Sequence, residues 1–337
     1  MKKLVLVLCI VLAAVFSAQA SEFTAGGSYR MVVVDDDPGA GQTSNYWRQR
    51  FRVAFNWKVN DNVSTQLRGD FAEFTWGDGY RPEAGTDTLM VDRAFTTIKS
   101  GALTLKVGQQ AGAWGLGTMW SDQFQGIHAD VALDPITIKL LYVKESEGGA
   151  AGNTTTDEAG NDDTDVYAIA AAYATDAFTG QLSFGTLRQK SNAGAAADIT
   201  INGYSLTLIA PIGDMKLMAE GAIYGGDNGS TTDYTGTQLF IGVDAKLSEA
   251  LSAGAGLIWA DGADATNEDQ ISEVATDTVF SPFDYKGALA ALGNGRGSFG
   301  GETAVFDVSG QNKGTIGFYG TVAFMPTEAV TLYGTLG

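Results

Sequence analysis

The feature that most constrains this 337-residue chain is a two-residue alternation of apolar and polar side chains, which recurs from Phe23 to the last residues. In the clearest segment, the apolar face carries Trp47, Phe51, Val53, Phe55, Trp57 and Val59, and the other face carries Arg48, Arg50, Arg52, Asn56 and Lys58. Alternation of this kind is typical of β-strands with one apolar face. The same pattern recurs along most of the chain, but it leaves the faces of the strand at 89–99 undecided. The sequence therefore predicts an all-β fold.

The connections between the predicted strands alternate between long and short. The long ones are 35–45, 77–87, 109–125, 145–164, 188–198, 225–234 and 261–313, and the short ones are 60–62, 100–101, 134–135, 175–177, 211–214, 248–250 and 326–328. Outer-membrane barrels sort their connections in this way, with short periplasmic turns and longer extracellular loops. A closed barrel also satisfies every backbone polar group in lipid. We therefore predict a transmembrane, antiparallel, up-and-down β-barrel.

The strand count bears on whether the sequence is complete. The alternating segments number about fifteen, whereas single-chain bacterial barrels use even numbers of strands. The last segment, from Leu332 to Leu336, stops in mid-strand at Gly337. We expect 16 strands in the full-length protein and a truncated C-terminus in this chain.

The first twenty residues have the pattern of a secretory signal. Lys2 and Lys3 precede an apolar run, and Ala18-Gln19-Ala20 is a small-residue cleavage site. The run is shorter than the about 20 apolar residues of a spanning helix, so a retained anchor is the less favoured alternative. We predict a signal peptide at 1–20, export through the Sec pathway and a mature barrel at 21–337. The lone cysteine, Cys9, leaves with the signal, which excludes a disulfide framework.

The formal net charge of −18 and the apolar content of 45% exclude two classes of protein. A uniformly disordered chain has fewer apolar residues, and a nucleic-acid-binding protein needs clustered basic charge. Acidic clusters at 35–37 and 161–163 lack the ligand spacing of an EF-hand loop. They are interpreted as a solvated rim, with divalent cations bridging that rim to lipopolysaccharide as the alternative.

The third long connection, 109–125, carries the most specific motif. It begins with Val107-Gly108-Gln109-Gln110, continues with Trp114-Gly115-Leu116-Gly117 and ends with Asp122-Gln123-Phe124-Gln125-Gly126. This succession resembles the general Gram-negative outer-membrane porins. The resemblance implies a homotrimer in the outer membrane, in contact with lipid and lipopolysaccharide, and a third extracellular loop folded into the lumen. Its constriction residues here would be Gln110, Trp114, Trp120, Asp122 and Phe124. Only Asp122 supplies an acid between Gln109 and Gly126, which departs from the acid-rich loops common in porins.

The polar face of the early strands supplies the candidate pore lining. Its members are Arg30, Arg48, Arg50, Arg52, Arg68, Asp70 and Lys106. Charges that face lipid cost about 2–4 kcal/mol each at the midplane, so this face must line the lumen. Either it orients solutes as a basic ladder or it is a solvated wall of paired charges, and counting from the 60–62 turn places Arg52 opposite Asp70. Trp114 and Trp120 either contact sugars or pack the loop against the wall.

The predicted function is passive diffusion of small hydrophilic solutes and ions. A non-conducting barrel, acting as an adhesin or as a scaffold for a periplasmic electron-transfer partner, is the alternative, which the small side chains of Val166, Ala168, Ala170 and Ala172 favour. His128 and scattered serines form no catalytic constellation, so no enzymatic activity, cofactor or metal is expected. In the 261–313 loop, Ser281 to Gly293 predicts a short capped helix, which lies over the pore mouth, forms an oligomer contact or only extends the extracellular surface.

Overall fold

A computed structural model describes residues 22–36, 44–75, 89–116, 120–146, 164–190, 198–227, 233–260, 315–327 and 330–336. The predicted signal peptide and the 261–313 loop with its predicted helix lie outside these ranges, as do the side chains of Arg30, Arg48, Trp120 and Asp122. Within the described ranges, no helix has the length and hydropathy needed to cross a membrane.

The described residues form fifteen β-strands. They are β1 Glu22–Asp36, β2 Ser44–Asn60, β3 Val63–Thr75, β4 Leu89–Ser100, β5 Leu103–Trp114, β6 Trp120–Ala132, β7 Ile136–Ser146, β8 Thr164–Ala174, β9 Thr179–Gln189, β10 Ile199–Ile212, β11 Met215–Asp227, β12 Asp233–Lys246, β13 Leu251–Ala260, β14 Thr315–Thr327 and β15 Val330–Leu336. All belong to one sheet in which each strand is bonded to the next in sequence. The prediction of an all-β, antiparallel, up-and-down fold is confirmed.

Short turns join alternate strand pairs, and their side chains define them. The Asn60 Oδ1 atom accepts hydrogen bonds from the N–H groups of Asn62 and Val63, at 2.8 and 2.9 Å. The Thr175 hydroxyl likewise accepts from the N–H groups of Ala177 and Phe178, at 3.3 and 3.2 Å. Side chains that mimic backbone acceptors close tight turns, so these two sequences hold their strand pairs in register.

The chain divides into two compact units, residues 1–110 with 125–130 and residues 111–124 with 131–337. In the first unit, one face of the sheet exposes large apolar side chains. They include Phe23, Tyr29, Phe51, Val91, Ile98 and Val107. The opposite face of this unit carries charged and amide side chains, as the alternation predicts.

In the second unit, the distribution of apolar and polar side chains is the reverse of that in a soluble protein. Its exposed face carries large apolar side chains such as Leu140, Ile169, Leu182, Tyr204, Leu206 and Ile223. Its other face buries polar groups, among them Gln181, Ser183, Thr207 and Glu220, together with the apolar cluster around Trp114 and Val143. A continuous exposed apolar face marks contact with another phase or partner, and here it extends over successive strands.

The faces of β4 are set by a β-bulge, which is why the sequence pattern leaves them undecided. Arg68 pairs with Arg93, but the next residue, Gly69, pairs with Val91, so Asp92 is the extra residue. Val91 and Ile98 are both exposed on the apolar face. In a regular strand they would lie on opposite faces, because an odd number of positions separates them. A bulge shifts the two-residue alternation by one position and re-aims a side chain. Asp92 consequently joins the polar face.

The extent of the predicted third loop is wrong. Strand β5 continues to Trp114 and β6 begins at Trp120, so only 115–119 connects them, and most of 109–125 is strand. The segment that looks too apolar for an exposed loop forms the ends of two neighbouring strands, and its Trp114 and Phe124 side chains are buried. Strand pairing provides hydrogen-bond partners for the backbone N–H and C=O groups of this segment, which also packs against other strands.

Gly108 allows the close approach of β4 and β5, and we predict that Gly108→Ala destabilises the sheet. Its φ is +124°, and a Cβ there would clash with the Ala94 carbonyl and lie 2.9 Å from the Phe95 Cα. We expect a loss of about 2 kcal/mol or more in the free energy of unfolding, measured in urea in detergent micelles. The control is Gly26→Ala, where nothing lies within 4 Å of the added atom. Equal stabilities of the two variants would contradict the prediction.

Candidate functional site

The polar face of the first unit carries an arginine wall, which we define as Arg50, Arg52, Arg68 and Arg93 with the carboxylates of Asp70 and Asp92. The register places Arg52 directly opposite Asp70, as the sequence predicts. The Arg52 Nε and Nη2 atoms both donate to this carboxylate, the Nη2–Oδ2 distance being 2.6 Å. The Nη1 atom of Arg50 lies 4.0 Å from the same carboxylate. A two-point arginine–carboxylate pair fixes the orientation of both groups.

Asp92 is the second centre of this wall, and sequence reasoning missed it. It is 2% exposed, and its Oδ2 atom lies 3.5 Å from Arg52 Nη2 and 4.0 Å from Arg93 Nε, with Arg68 Nε bonded to it as well. The bulge at Arg68–Gly69 turns this carboxylate toward the three arginines. Only the pairing of β3 with β4 reveals the position of Asp92, because in a regular strand its side chain would lie on the opposite face.

The arginine wall is partly neutralised. Among the side chains that the structure describes, Asp70 and Asp92 offset half of the charge of Arg50, Arg52, Arg68 and Arg93. The arginines stay partly accessible, with 14% exposure at Arg50 and 30% at Arg93, whereas the two carboxylates lie beneath them. The described charges of the wall are therefore paired, and its role in orienting solutes stays a prediction.

Three other predicted lining residues are placed by the backbone register. Arg30 pairs directly with Arg50, and Arg48 pairs with Val32 on β1. Lys106 on β5 pairs with Thr97 on β4, closer to the short-turn ends than the arginine wall. Lys106 forms no ion pair within the described part of the chain.

The end of the β5–β6 hairpin, residues 111–124, which we call the β5–β6 tip, belongs to the second unit. Trp114 is 2% exposed and Phe124 is 3% exposed. They form one apolar cluster with side chains of β7 to β11, namely Leu141, Val143, Val166, Ala170, Leu187, Ile201, Ala222 and Tyr224. The burial of Trp114 agrees with the interpretation that it packs the segment against the wall, and the small side chains of β8 leave room for it.

A hydrogen bond fixes the β5–β6 tip to β11. The Leu116 N–H group donates to the Glu220 carboxylate, which is fully buried. Gly115, which precedes Leu116, has a φ of +66°. A Cβ at this position would lie 2.7 Å from Glu220 Oε1 and would clash with the Thr207 hydroxyl. Thr207 and Glu220 are direct cross-strand partners on β10 and β11, which do not neighbour β5 or β6 in the sheet. The tip therefore lies across the buried face of the sheet.

Gln110 holds the base of the hairpin in the first unit. It is 2% exposed, and its Nε2 atom donates to the carbonyls of Lys106 and Gly126 at 3.4 and 3.3 Å. An amide bonded to two backbone carbonyls stabilises its own surroundings. In this structure Gln110 links β5 to β6, and its place in a constriction stays a prediction.

We predict that Glu220→Ala loosens the β5–β6 tip. Hydrogen exchange at the Leu116 amide should accelerate roughly tenfold or more, because a charge-assisted hydrogen bond is lost. Glu220→Gln keeps a carbonyl acceptor and should recover part of the protection. Asp244→Ala, which removes a carboxylate paired at 3.6 Å with Lys216, is the matched control. Unchanged exchange in Glu220→Ala would contradict the role of this bond.

Comparison with known proteins gives structural matches only. No family model matches the chain, and no curated protein matches it in sequence.

The structural matches include three outer-membrane porins. The outer membrane channel DcaP of Acinetobacter baumannii matches with a TM-score of 0.56 and 13% identity over 94% of this chain and 90% of that one. Salmonella typhi OmpF, in a complex with daunomycin, matches with a TM-score of 0.54 and 10% identity over 94% and 89%. Pseudomonas aeruginosa OccK8 (OprE) matches with a TM-score of 0.54 and 13% identity over 94% and 83%.

The expectation that the chain is not an enzyme is withdrawn, because one fold can host different activities. The matched folds also include a loop L8 deletion mutant of OmpT, an outer membrane protein of Vibrio cholerae, at a TM-score of 0.41 and 13% identity over 72% of this chain and 94% of that one. A fold hosts unrelated functions, so likeness to these structures neither assigns nor excludes an activity.

What the matches do establish is architecture. Up-and-down antiparallel strands in sequence order, an exposed apolar face and a hairpin laid across the opposite face occur together in this chain. The porin structures match nearly its whole length at low sequence identity. The chain has the fold of the Gram-negative outer-membrane porins, as the resemblance implied.

Proposed function

We propose that this protein is a passive diffusion channel for small hydrophilic solutes and ions in the outer membrane of a Gram-negative bacterium. In this proposal the strands close into a barrel, the protein is exported through the Sec pathway, and it assembles as a homotrimer in contact with lipid and lipopolysaccharide. The β5–β6 tip narrows the lumen. The export route rests on residues 1–20 of the sequence, and the homotrimer and its lipid contacts rest on the resemblance to the porins.

The observation that carries the proposal is the position of the β5–β6 tip. Trp114 and Gly115 lie against strands that are remote in the sheet order, on the face opposite the exposed apolar side chains. In a closed barrel that face lines the lumen, so a hairpin covering it reduces the open cross-section. The hydrogen bond to Glu220 keeps the narrowing element in place.

The membrane location is supported by the distribution of apolar side chains. Leu182 is 64% exposed and Phe318 is 65% exposed, whereas Glu220 on the other face is fully buried. Each buried apolar side chain of this size gains about 1.5–3 kcal/mol on leaving water, so a lipid environment stabilises this arrangement. The charged side chains of the arginine wall need water or ion pairing. In the proposed barrel they face the water-filled lumen.

The arginine wall supports weak ion selectivity. Rings of charged side chains are the usual filters of wide pores, and here two carboxylates offset half of the described guanidinium charge. The acidic connections attract cations at the mouth, but exposed charges are screened within about 8 Å at physiological salt. The inner wall therefore decides the preference, and it favours anions slightly.

The non-conducting alternative loses the feature that favoured it. Val166 and Ala170 on β8 belong to the buried apolar cluster that contains Trp114. Their small size accommodates the β5–β6 tip of the same chain and requires no internal protein partner.

The channel proposal predicts stepwise conductance when the full-length protein is reconstituted in planar bilayers. A variant in which residues 112–122 are replaced by two glycines should give larger steps, because the element in the lumen is removed. A lipid bilayer treated with detergent alone is the control. Failure to observe steps from folded protein would refute the proposal, and equal steps from the shortened variant would refute the narrowing.

The arginine wall predicts opposite shifts of the reversal potential in a KCl gradient. Asp92→Asn removes a carboxylate shared by three arginines and should increase anion preference, whereas Arg50→Ala and Arg52→Ala should decrease it. Asp244→Asn lies outside the wall and is the matched control. A strong cation preference that these arginine variants leave unchanged would contradict a selective role for the wall.

A further inference from the structure

A separate cavity lies on the polar face of the first unit, between the arginine wall and the short turns. Its volume is about 360 Å³, which is within the range of small-molecule sites. Two lateral rows of side chains line it across β1 to β5. One row is Thr24, Asn56, Gln66 and Phe95, and the other is Glu22, Lys58, Ser64, Thr97 and Lys106.

The charges in this cavity are uneven. Lys58 pairs with Glu22 across the strands, and its Nζ atom lies 2.6 Å from the Asp61 carboxylate. Lys106 stands at the far end of the same row, beside Thr97, without an ion pair in the part of the chain that the structure describes. An anionic group is therefore favoured at the Lys106 end, where an ammonium and a hydroxyl adjoin.

The amides of the first row are pre-oriented. Gln66 Nε2 donates to Asn56 Oδ1 at 2.7 Å. This bond leaves the Asn56 amide nitrogen as a donor and the Gln66 carbonyl as an acceptor for other partners. An adjacent donor and acceptor at fixed spacing suit a hydroxyl group, which both donates and accepts.

Phe95 is the apolar side chain of the first row, and Trp57 also contributes to the lining of the cavity. It pairs with Gln66 on one side and with Gly108 on the other, and Gly108 has no side chain to cover the ring. An aromatic face beside amides and hydroxyls packs against the C–H face of a ring while the polar groups bind its substituents.

We propose that this cavity binds an anionic sugar, a hydroxylated ring that carries a carboxylate or a phosphate. Lys106 and Thr97 bind the anion, Asn56 and Gln66 bind ring hydroxyls, and Phe95 packs against the ring. The site lies apart from the arginine wall and makes transport of such solutes saturable. This inference rests on the proposed channel function, because solute reaches the cavity through the lumen.

The test is block of KCl current through the full-length protein in planar bilayers, with glucuronate, glucose and acetate as probes. Glucuronate should reduce the current saturably, and glucose and acetate should do so only at much higher concentrations. Lys106→Gln should raise the half-blocking glucuronate concentration roughly tenfold, as loss of a charged hydrogen bond does. Phe95→Leu, which keeps apolar bulk without the ring, should raise it roughly threefold.

The matched control is Lys99→Gln, which removes a lysine on β4 that does not line the cavity. Equal block by glucuronate and acetate would reduce the effect to general anion attraction and overturn the site, as would equal effects of Lys99→Gln and Lys106→Gln. Normal conductance without saturable glucuronate block also overturns the site and leaves the channel function intact. Absence of conductance overturns the channel function and the site with it.

Discussion

The bond between the Leu116 N–H group and the Glu220 carboxylate is the interaction on which the arrangement of the second unit depends. A carboxylate with no exposure is costly unless it is hydrogen-bonded, so Glu220 requires the β5–β6 tip as much as the tip requires Glu220. Gly115 is part of the same requirement, because any side chain there would collide with Glu220 or Thr207. The position of the tip in turn decides which side chains of β7 to β11 are covered.

Packing beneath the β5–β6 tip explains the small apolar side chains of β8, which otherwise suggest a non-conducting barrel around a partner protein. Val166 and Ala170 give β8 an apolar buried face, which suits a barrel that sheathes a partner. In this structure Trp114 and Phe124 fill that space. Dispersion contacts of two aromatic side chains and one charge-assisted hydrogen bond hold the hairpin against β7 to β11, and none of them needs an acid-rich loop.

Irregular pairing organises the polar face of the first unit. The bulge at Asp92 brings a second carboxylate to the arginines, and a register shift between Gln49 and Phe51 flanks Arg50. Bulges re-aim side chains next to functional sites, and both of these lie beside the arginine wall. Farther toward the short turns the pairing of β3 to β5 is regular, and Gln66, Phe95 and Lys106 follow the simple alternation.

The sequence by itself determined the order of the strands, most of their extents and, outside β4, their two faces, because side chains on a strand alternate and adjacent strands joined by short turns must pair antiparallel. It also placed Arg52 opposite Asp70, since the 60–62 turn fixes that register. Only the tertiary structure decided the role of Asp92, the extent of the hairpin over 109–125 and the contact of Leu116 with Glu220. These depend on a local shift in pairing and on the meeting of residues about a hundred positions apart, and neither leaves a periodic signal in the chain.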